Sequence, residues 1–192
     1  MSRARLHPTL LELRGAMGDM VFKKQYGKLY ATVKRGERTS EPSAAQIAHH
    51  DRFKAAARYG KRALANPETR LVYEQAAKER NKPVFSVTMA DFFTPPTIHN
   101  IDLSAYNGQV GDAIMIEATD DFSVQTVTVT IVNAATNEEI EHGRALEVGS
   151  SESGLWHYTA KSVVASGTEV KINVVAADRP GGTAVETQTK TL

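Results

Sequence analysis

"VQTVTVTIVNA" (residues 124–134) sets Val127, Val129 and Ile131 in strict alternation with Thr126, Thr128 and Thr130. A period of two places one set on each face of an extended chain, which is the signature of a half-buried β-strand. Nearly every residue is β-branched, so the backbone preference agrees with the pattern. Moving outward, similar runs recur: "TIHNIDLS" (97–104), "AIMIEAT" (113–119), "EEIEHGRALEV" (138–148), "LWHYTAKSV" (155–163), "EVKINVVAAD" (169–178) and "TAVETQTKT" (183–191). Turn formers separate them at Asn107-Gly108, Asp120-Asp121, Asn137, the Gly/Ser cluster at 149–154, Ser166-Gly167 and Pro180-Gly181-Gly182.

Seven short alternating strands within residues 97–192 predict an all-β immunoglobulin-like sandwich. The chain has no cysteine, so this core must hold by packing alone. Trp156, the only tryptophan, alternates with its neighbours in a strand and is expected in that core.

Upstream, "TPP" (94–96) is a stiff joint, and before it the periodicity becomes helical. Ser43 followed by Gln46 has capping-box spacing, and Phe53, Ala56, Ala57, Gly60 and Leu64 make a helical stripe of mostly small residues that lets another element approach closely. "NPE" (66–68) starts a second helix with Asn66 as cap and Pro67 in the first turn. It carries Leu71, Val72, Tyr73, Ala76 and Ala77 and ends near Asn81-Lys82-Pro83. Phe85, Met89 and Phe92 or Phe93 predict a short third helix.

Farther upstream, Val21, Lys23 and Gln25 alternate with Phe22, Lys24 and Tyr26, and Leu29, Ala31 and Val33 alternate with Tyr30 and Thr32. This predicts a hairpin turning at Gly27, apolar on one face, with Lys23, Lys28 and Lys34 on the other. Gly15 to Gly18 is expected as a turn. It lacks the Gly-Lys-Ser/Thr ending of a phosphate loop and leads into a strand instead of a helix. A lone hairpin is marginal in water and must pack on something. Residues 1–96 are thus expected as an α+β module of hairpin plus two or three helices, and 97–192 as the sandwich.

The charge divides at the same joint. Residues 1–96 carry 18 Lys+Arg against 9 Asp+Glu, a balance of +9, while 97–192 carry 5 against 13, a balance of −8. Absence of cysteine excludes disulfide scaffolds, thiolate metal sites and thiol catalysis. No run approaches the ~20 apolar residues of a membrane span, and the apolar start "MSRARLHPTLLELRG" is broken by Glu12 and Arg14, so no signal peptide is expected. The expectation is synthesis in the cytoplasm, with a released particle or assembly as a final location.

The segment "TIHNIDLSAYNGQVGDAIMIEATDDFSVQTVTVTI" (97–131), with "INVVAADRPGGTAVETQT" (172–189), resembles bacterial immunoglobulin-like domains, which often end in an Ala-x-Asp strand and a glycine turn. That resemblance speaks for fold only. "RGAMGDMVFKKQYGKLYA" (14–31), "PSAAQ" (42–46), "RFKAAARYGKRAL" (52–64) and "YEQAAKERNKPVFSVTMADFF" (73–93) resemble uncharacterised bacterial proteins of phage-like and prophage neighbourhoods. Both resemblances imply a structural or accessory component, and neither brings catalytic residues.

No catalytic constellation stands out. His142 and His157 fall in different strands without a triad partner. The adjacent His49 and His50 diverge by about 100° on a helix. Asp120, Asp121 and Asp178 fall in sandwich loops where carboxylates can gather around calcium, but loop aspartates are common, and neither metal nor cofactor is expected. The expected assembly interface is Phe22, Lys23, Lys24, Tyr26, Lys28, Leu29 and Tyr30. Its partner would be further copies of the chain or other structural subunits. The alternative is nucleic-acid phosphate held by Lys34, Arg35, Arg52, Lys54, Arg58, Lys61 and Arg62, with Tyr26, Tyr30 and Tyr59 interleaved.

Overall fold

A computed structural model describes residues 14–25, 28–36, 41–149 and 153–192. Packing divides the chain into two units, which meet in sequence between Ile47 and Ala48.

The first unit carries a three-stranded antiparallel meander of β1 (Gly15–Met17), β2 (Met20–Gln25) and β3 (Lys28–Val33). The expected hairpin is β2–β3, whose Tyr26-Gly27 turn lies outside the described residues. The Gly15–Gly18 stretch, expected as a turn, forms a strand instead. Reversal is confined to Gly18 and Asp19, with Gly18 at φ 58°, a conformation open to glycine at that turn position. Register pairs Met20 with Val33, Phe22 with Ala31 and Lys24 with Leu29, and Met17 joins them across from Met20. Paired residues share a face. One face is therefore apolar apart from Lys24, while Lys23, Lys28, Tyr30 and Thr32 share the other. None of the described residues in this sheet is buried.

Three helices follow: α1 (Ala44–Ala65), whose first turn precedes the division, α2 (Pro67–Glu79) and α3 (Val84–Phe93). Both expected caps form. The Ser43 N–H donates to Gln46 Oε1 while the Gln46 N–H donates to Ser43 Oγ, and Asn66 Oδ1 accepts from the Glu68 N–H at 2.9 Å. Tyr59, Ala63, Tyr73, Ala76, Ala77 and Val87 bury together between the helices. The small-residue stripe brings α3 against α1. A Cβ built on Gly60 would lie 2.6 Å from Thr88 Oγ1 and 3.0 Å from the Phe85 ring. Thr88 Oγ1 is tied to the Phe85 carbonyl and cannot swing aside freely. Gly60→Ala is therefore expected to destabilise by about 1–3 kcal/mol despite alanine's higher helix propensity, measured by urea unfolding.

Residues 97–192 form two four-stranded antiparallel sheets. One runs β4 (Thr97–Asp102), β5 (Ala113–Thr119), β9 (Leu155–Thr159), β8 (Leu146–Glu147). The other runs β11 (Thr183–Thr191), β10 (Glu169–Asp178), β6 (Val124–Asn133), β7 (Glu139–Arg144). Ile114, Ile116, Trp156 and Tyr158 from the first meet Val127, Val129, Ile131, Val170, Ile172 and Val174 from the second in one core. Trp156 is a core residue, as its alternation predicts. The stretch expected as one strand at 138–148 is two, because the chain passes between sheets at buried Ala145, whose N–H donates to the Val127 carbonyl.

The boundary expected at the prolines, between 1–96 and 97–192, is not where packing thins. Phe122, in the β5–β6 loop, packs into the helical cluster and stacks on Tyr73 at 4.6 Å between ring centroids. Composition and charge change at Pro95-Pro96, but helices and sandwich share this aromatic contact.

Candidate functional site

The residues expected as an assembly interface do not share one face. Phe22, Lys24 and Leu29 stand on the apolar face of the N-terminal sheet, and Lys23, Lys28 and Tyr30 on the opposite one. Tyr26 lies outside the described residues. Phe22 and Leu29 are half-buried, while Met17, Met20 and Val33 leave the apolar face exposed.

The alternative phosphate-binding set is also divided. Lys54, Arg58, Lys61 and Arg62 fall within about 100° of the α1 circumference, and Arg52 points elsewhere. Arg52 is engaged: its guanidinium lies 5.1 Å over the Phe93 ring and donates to the Phe93 carbonyl. Lys54 pairs with Asp51 at 3.0 Å. Lys34 and Arg35 belong to the first unit and are exposed. Tyr59, expected interleaved with these cations, is buried in the helical core with its hydroxyl 2.6 Å from that of Tyr73.

A second constellation forms at one end of the sandwich, from strands that end on acid. In β5 the inward positions run Ile114, Ile116, Ala118 and then Asp120; in β10 they run Val170, Ile172, Val174, Ala176 and then Asp178. Two strands, one from each sheet, therefore carry aspartate where the hydrophobic register closes. From the helical side α3 adds Asp91, 1% exposed in an otherwise uncharged helix.

Each carboxylate has one oxygen fixed and one free. Asp91 Oδ2 accepts from the Tyr73 hydroxyl, which in turn is bonded to Tyr59. Asp120 Oδ1 accepts from the N–H groups of Phe122 and Ser123 at 2.7 and 3.0 Å. Asp178 Oδ1 accepts from the N–H groups of Gly181 and Gly182, where Gly181 stands at φ 99°. The remaining oxygens, Asp91 Oδ1, Asp120 Oδ2 and Asp178 Oδ2, are buried without a hydrogen-bond partner. Carboxylate oxygens of Asp91, Asp120 and the exposed Asp121 lie within 4.8 Å of one another. Burial, then the charges of Asp120, Asp178 and Asp121, outweigh the Tyr73 hydrogen bond and push the Asp91 carboxyl up to about 6. Burial raises Asp121 and Asp178 too, each with the Asp120 charge adding to it.

Sequence reading placed Asp120, Asp121 and Asp178 in sandwich loops but missed Asp91 and the part of Tyr59 and Tyr73 in this site. The available signal was a lone carboxylate inside the apolar run "VFSVTMADFF" (84–93). Among the described residues, no helix is long and apolar enough to cross a membrane.

No family model matches this chain, and no curated protein matches it. Among solved structures, the crystal structure of CopC from Methylosinus trichosporium OB3b is similar at 11% identity and a TM-score of 0.35, over 49% of this chain and 89% of that one. The likeness is too slight to bear on function.

Proposed function

We propose that this protein is a non-enzymatic structural or accessory subunit that assembles with further copies of itself through its N-terminal sheet, within a larger particle of phage-like or filamentous kind. The observation that carries this reading is the sheet formed by β1 to β3. Its face of Met17, Met20, Phe22, Leu29, Ala31 and Val33 is apolar apart from Lys24, yet none of its described residues is buried. A three-stranded sheet gains independent stability by covering such a face, and a neighbouring subunit is the cover. The helix-backed sandwich is the spacer or displayed surface. Its strand order supports an immunoglobulin-like assignment: β4, β5, β9 and β8 correspond to strands A, B, E and D, and β7, β6, β10 and β11 to C′, C, F and G.

The charge split names the neighbour's complementary surface. The half with a balance of +9 meets the half at −8 of the next copy, a heterologous contact that propagates into rings or filaments. Charge steers this encounter, and the apolar face supplies most of the burial. Light scattering across a salt series should show large species at ~0.1 M salt that diminish toward ~1 M, as the Debye length falls from about 10 to about 3 Å. Replacing Lys23, Lys24 and Lys28 by glutamate is expected to weaken assembly while the sandwich stays folded. Phe22→Asp is expected to weaken it tenfold or more, since burying a phenylalanine contributes about 1.5–3 kcal/mol. A protein that stays monomeric at low salt and high concentration, yet binds duplex DNA with a steep salt slope, overturns this reading in favour of the phosphate-binding alternative.

A further inference from the structure

We infer that the aspartates closing the sandwich form a calcium site, with Asp91, Asp120 and Asp121 as ligands and Asp178 beside them, and that the ion fastens the helical layer to the sandwich. This departs from the sequence-based expectation of no metal.

Burying an ionised carboxylate oxygen without a donor is costly, and folded proteins keep few such atoms. Here three of them gather at one end of one domain: Asp91 Oδ1, Asp120 Oδ2 and Asp178 Oδ2. Asp91 and Asp178 are 1% and 6% exposed, so water does not readily make good the loss. Their other oxygens are held by the Tyr73 hydroxyl and by backbone N–H groups, which fixes how each carboxylate is turned. Held carboxylates with free oxygens are a preorganised donor set, and here Asp91, Asp120 and Asp178 are oriented by such a second layer of hydrogen bonds.

Protein cations offset the group's charge only at its outer edge. Among the described residues, only Arg80 forms an ion pair with any of the four, reaching the outer Asp121 at 3.6 Å. Arg179, next in sequence to Asp178, keeps its Nε buried without a partner. Like charges crowded this closely raise one another's proton affinity, and a divalent ion relieves the same repulsion.

The donors select the metal. All are oxygens, with no imidazole or thiolate, so a hard cation fits and zinc or copper does not. The ligands come from a helix and an irregular loop, with spacing up to 4.8 Å. Calcium accepts such irregular oxygen sets at about 2.3–2.6 Å, whereas magnesium demands a near-octahedral shell at about 2.0–2.1 Å. With α3 supplying one ligand and the β5–β6 loop two, the ion would tie elements on opposite sides of Pro95-Pro96.

The test uses the full chain stripped of metal with chelator at neutral pH. Calcium chloride at ~100-fold excess over its dissociation constant is expected to raise the melting midpoint by about 5–10 °C. Titration calorimetry should give one site per chain. Terbium, a calcium surrogate, should luminesce when excited through tyrosine, because Tyr73 is bonded to a ligand, and calcium should quench it by displacement. Asp91→Asn keeps an acceptor for Tyr73 and should abolish these responses. Should that variant misfold, Asp121→Asn, at an exposed position, must still weaken calcium binding about tenfold or more, while Glu186→Gln leaves it unchanged. No melting shift and no heat up to ~10 mM calcium would overturn the proposal and leave a proton shared among the carboxylates. An equal response to magnesium would overturn the assigned coordination, and a response that survives both aspartate variants would place the ion elsewhere.

Discussion

Tyr73→Ala is expected to release the helical layer while the sandwich stays folded. Tyr73 is fully buried and is the meeting point of four elements. Its hydroxyl accepts from Tyr59 on α1 and donates to Asp91 on α3, and its ring stacks on Phe122 of the β5–β6 loop. Truncating a large buried side chain costs about 3–5 kcal/mol through lost contacts and the cavity left behind. Asp91 also loses its donor, which adds about 1–3 kcal/mol for a buried acceptor left unmade. Three of the six buried members of the helical core are alanines, so that sum is expected to exceed what the layer can absorb. The sandwich core contains no Tyr73 contact. Circular dichroism should show helical signal melting well below the sandwich, with Trp156 fluorescence reporting a separate later transition. Tyr73→Phe, which removes only the hydroxyl, should show a smaller drop. A single transition shifted as a whole would show instead that helices and sandwich unfold as one unit.

Trp156→Ala is expected to have the opposite localisation and a comparable size. Trp156 pairs with Ile116 on β5 and Glu147 on β8, and its ring lies within the core shared by both sheets. No disulfide restrains the unfolded chain. A loss of about 3–5 kcal/mol stands against a total of about 5–15 kcal/mol for a typical domain, so the variant should be largely unfolded or melt far lower. Urea unfolding followed by circular dichroism measures it, since the variant lacks the fluorophore. A loss under ~1 kcal/mol would mean that the ring is peripheral to the packing.

Local signals carried most of the element map. Ser43 with Gln46, and Asn66 with Pro67, announce helix starts because capping is settled within one turn of chain. Val127, Val129 and Ile131 announce β6 because one buried face imposes a period of two. The misses were non-local. Gly15–Met17 has too few residues to show a period, and only pairing with β2 makes it a strand. The run through Ala145 hides a change of sheet, which alternation cannot register because both sheets demand the same pattern. Docking of the helices was invisible for a similar reason, since Phe122 sits in a loop whose neighbours are polar. The acidic end was half legible. Asp120 and Asp178 continue the inward period of their strands, whereas Asp91 comes from another element and meets them only in three dimensions.

The crossed pairing of the sandwich also dictates when it can form. Ile116 meets Trp156 and Ile131 meets Ile172, so neither sheet is complete until late segments have been synthesised. Helices need only neighbours in the chain, and such local structure forms in microseconds to milliseconds. Translation at about 5–20 residues per second leaves Val127, Val129 and Ile131 waiting about 2–10 s for their partners in β10 to emerge from the ribosome. For that interval the nascent chain displays a helical layer already made and a half-built sheet with its inner face bare. Newly made chains are at their most aggregation-prone then, and slower initiation, which spaces ribosomes along the message, is expected to protect them.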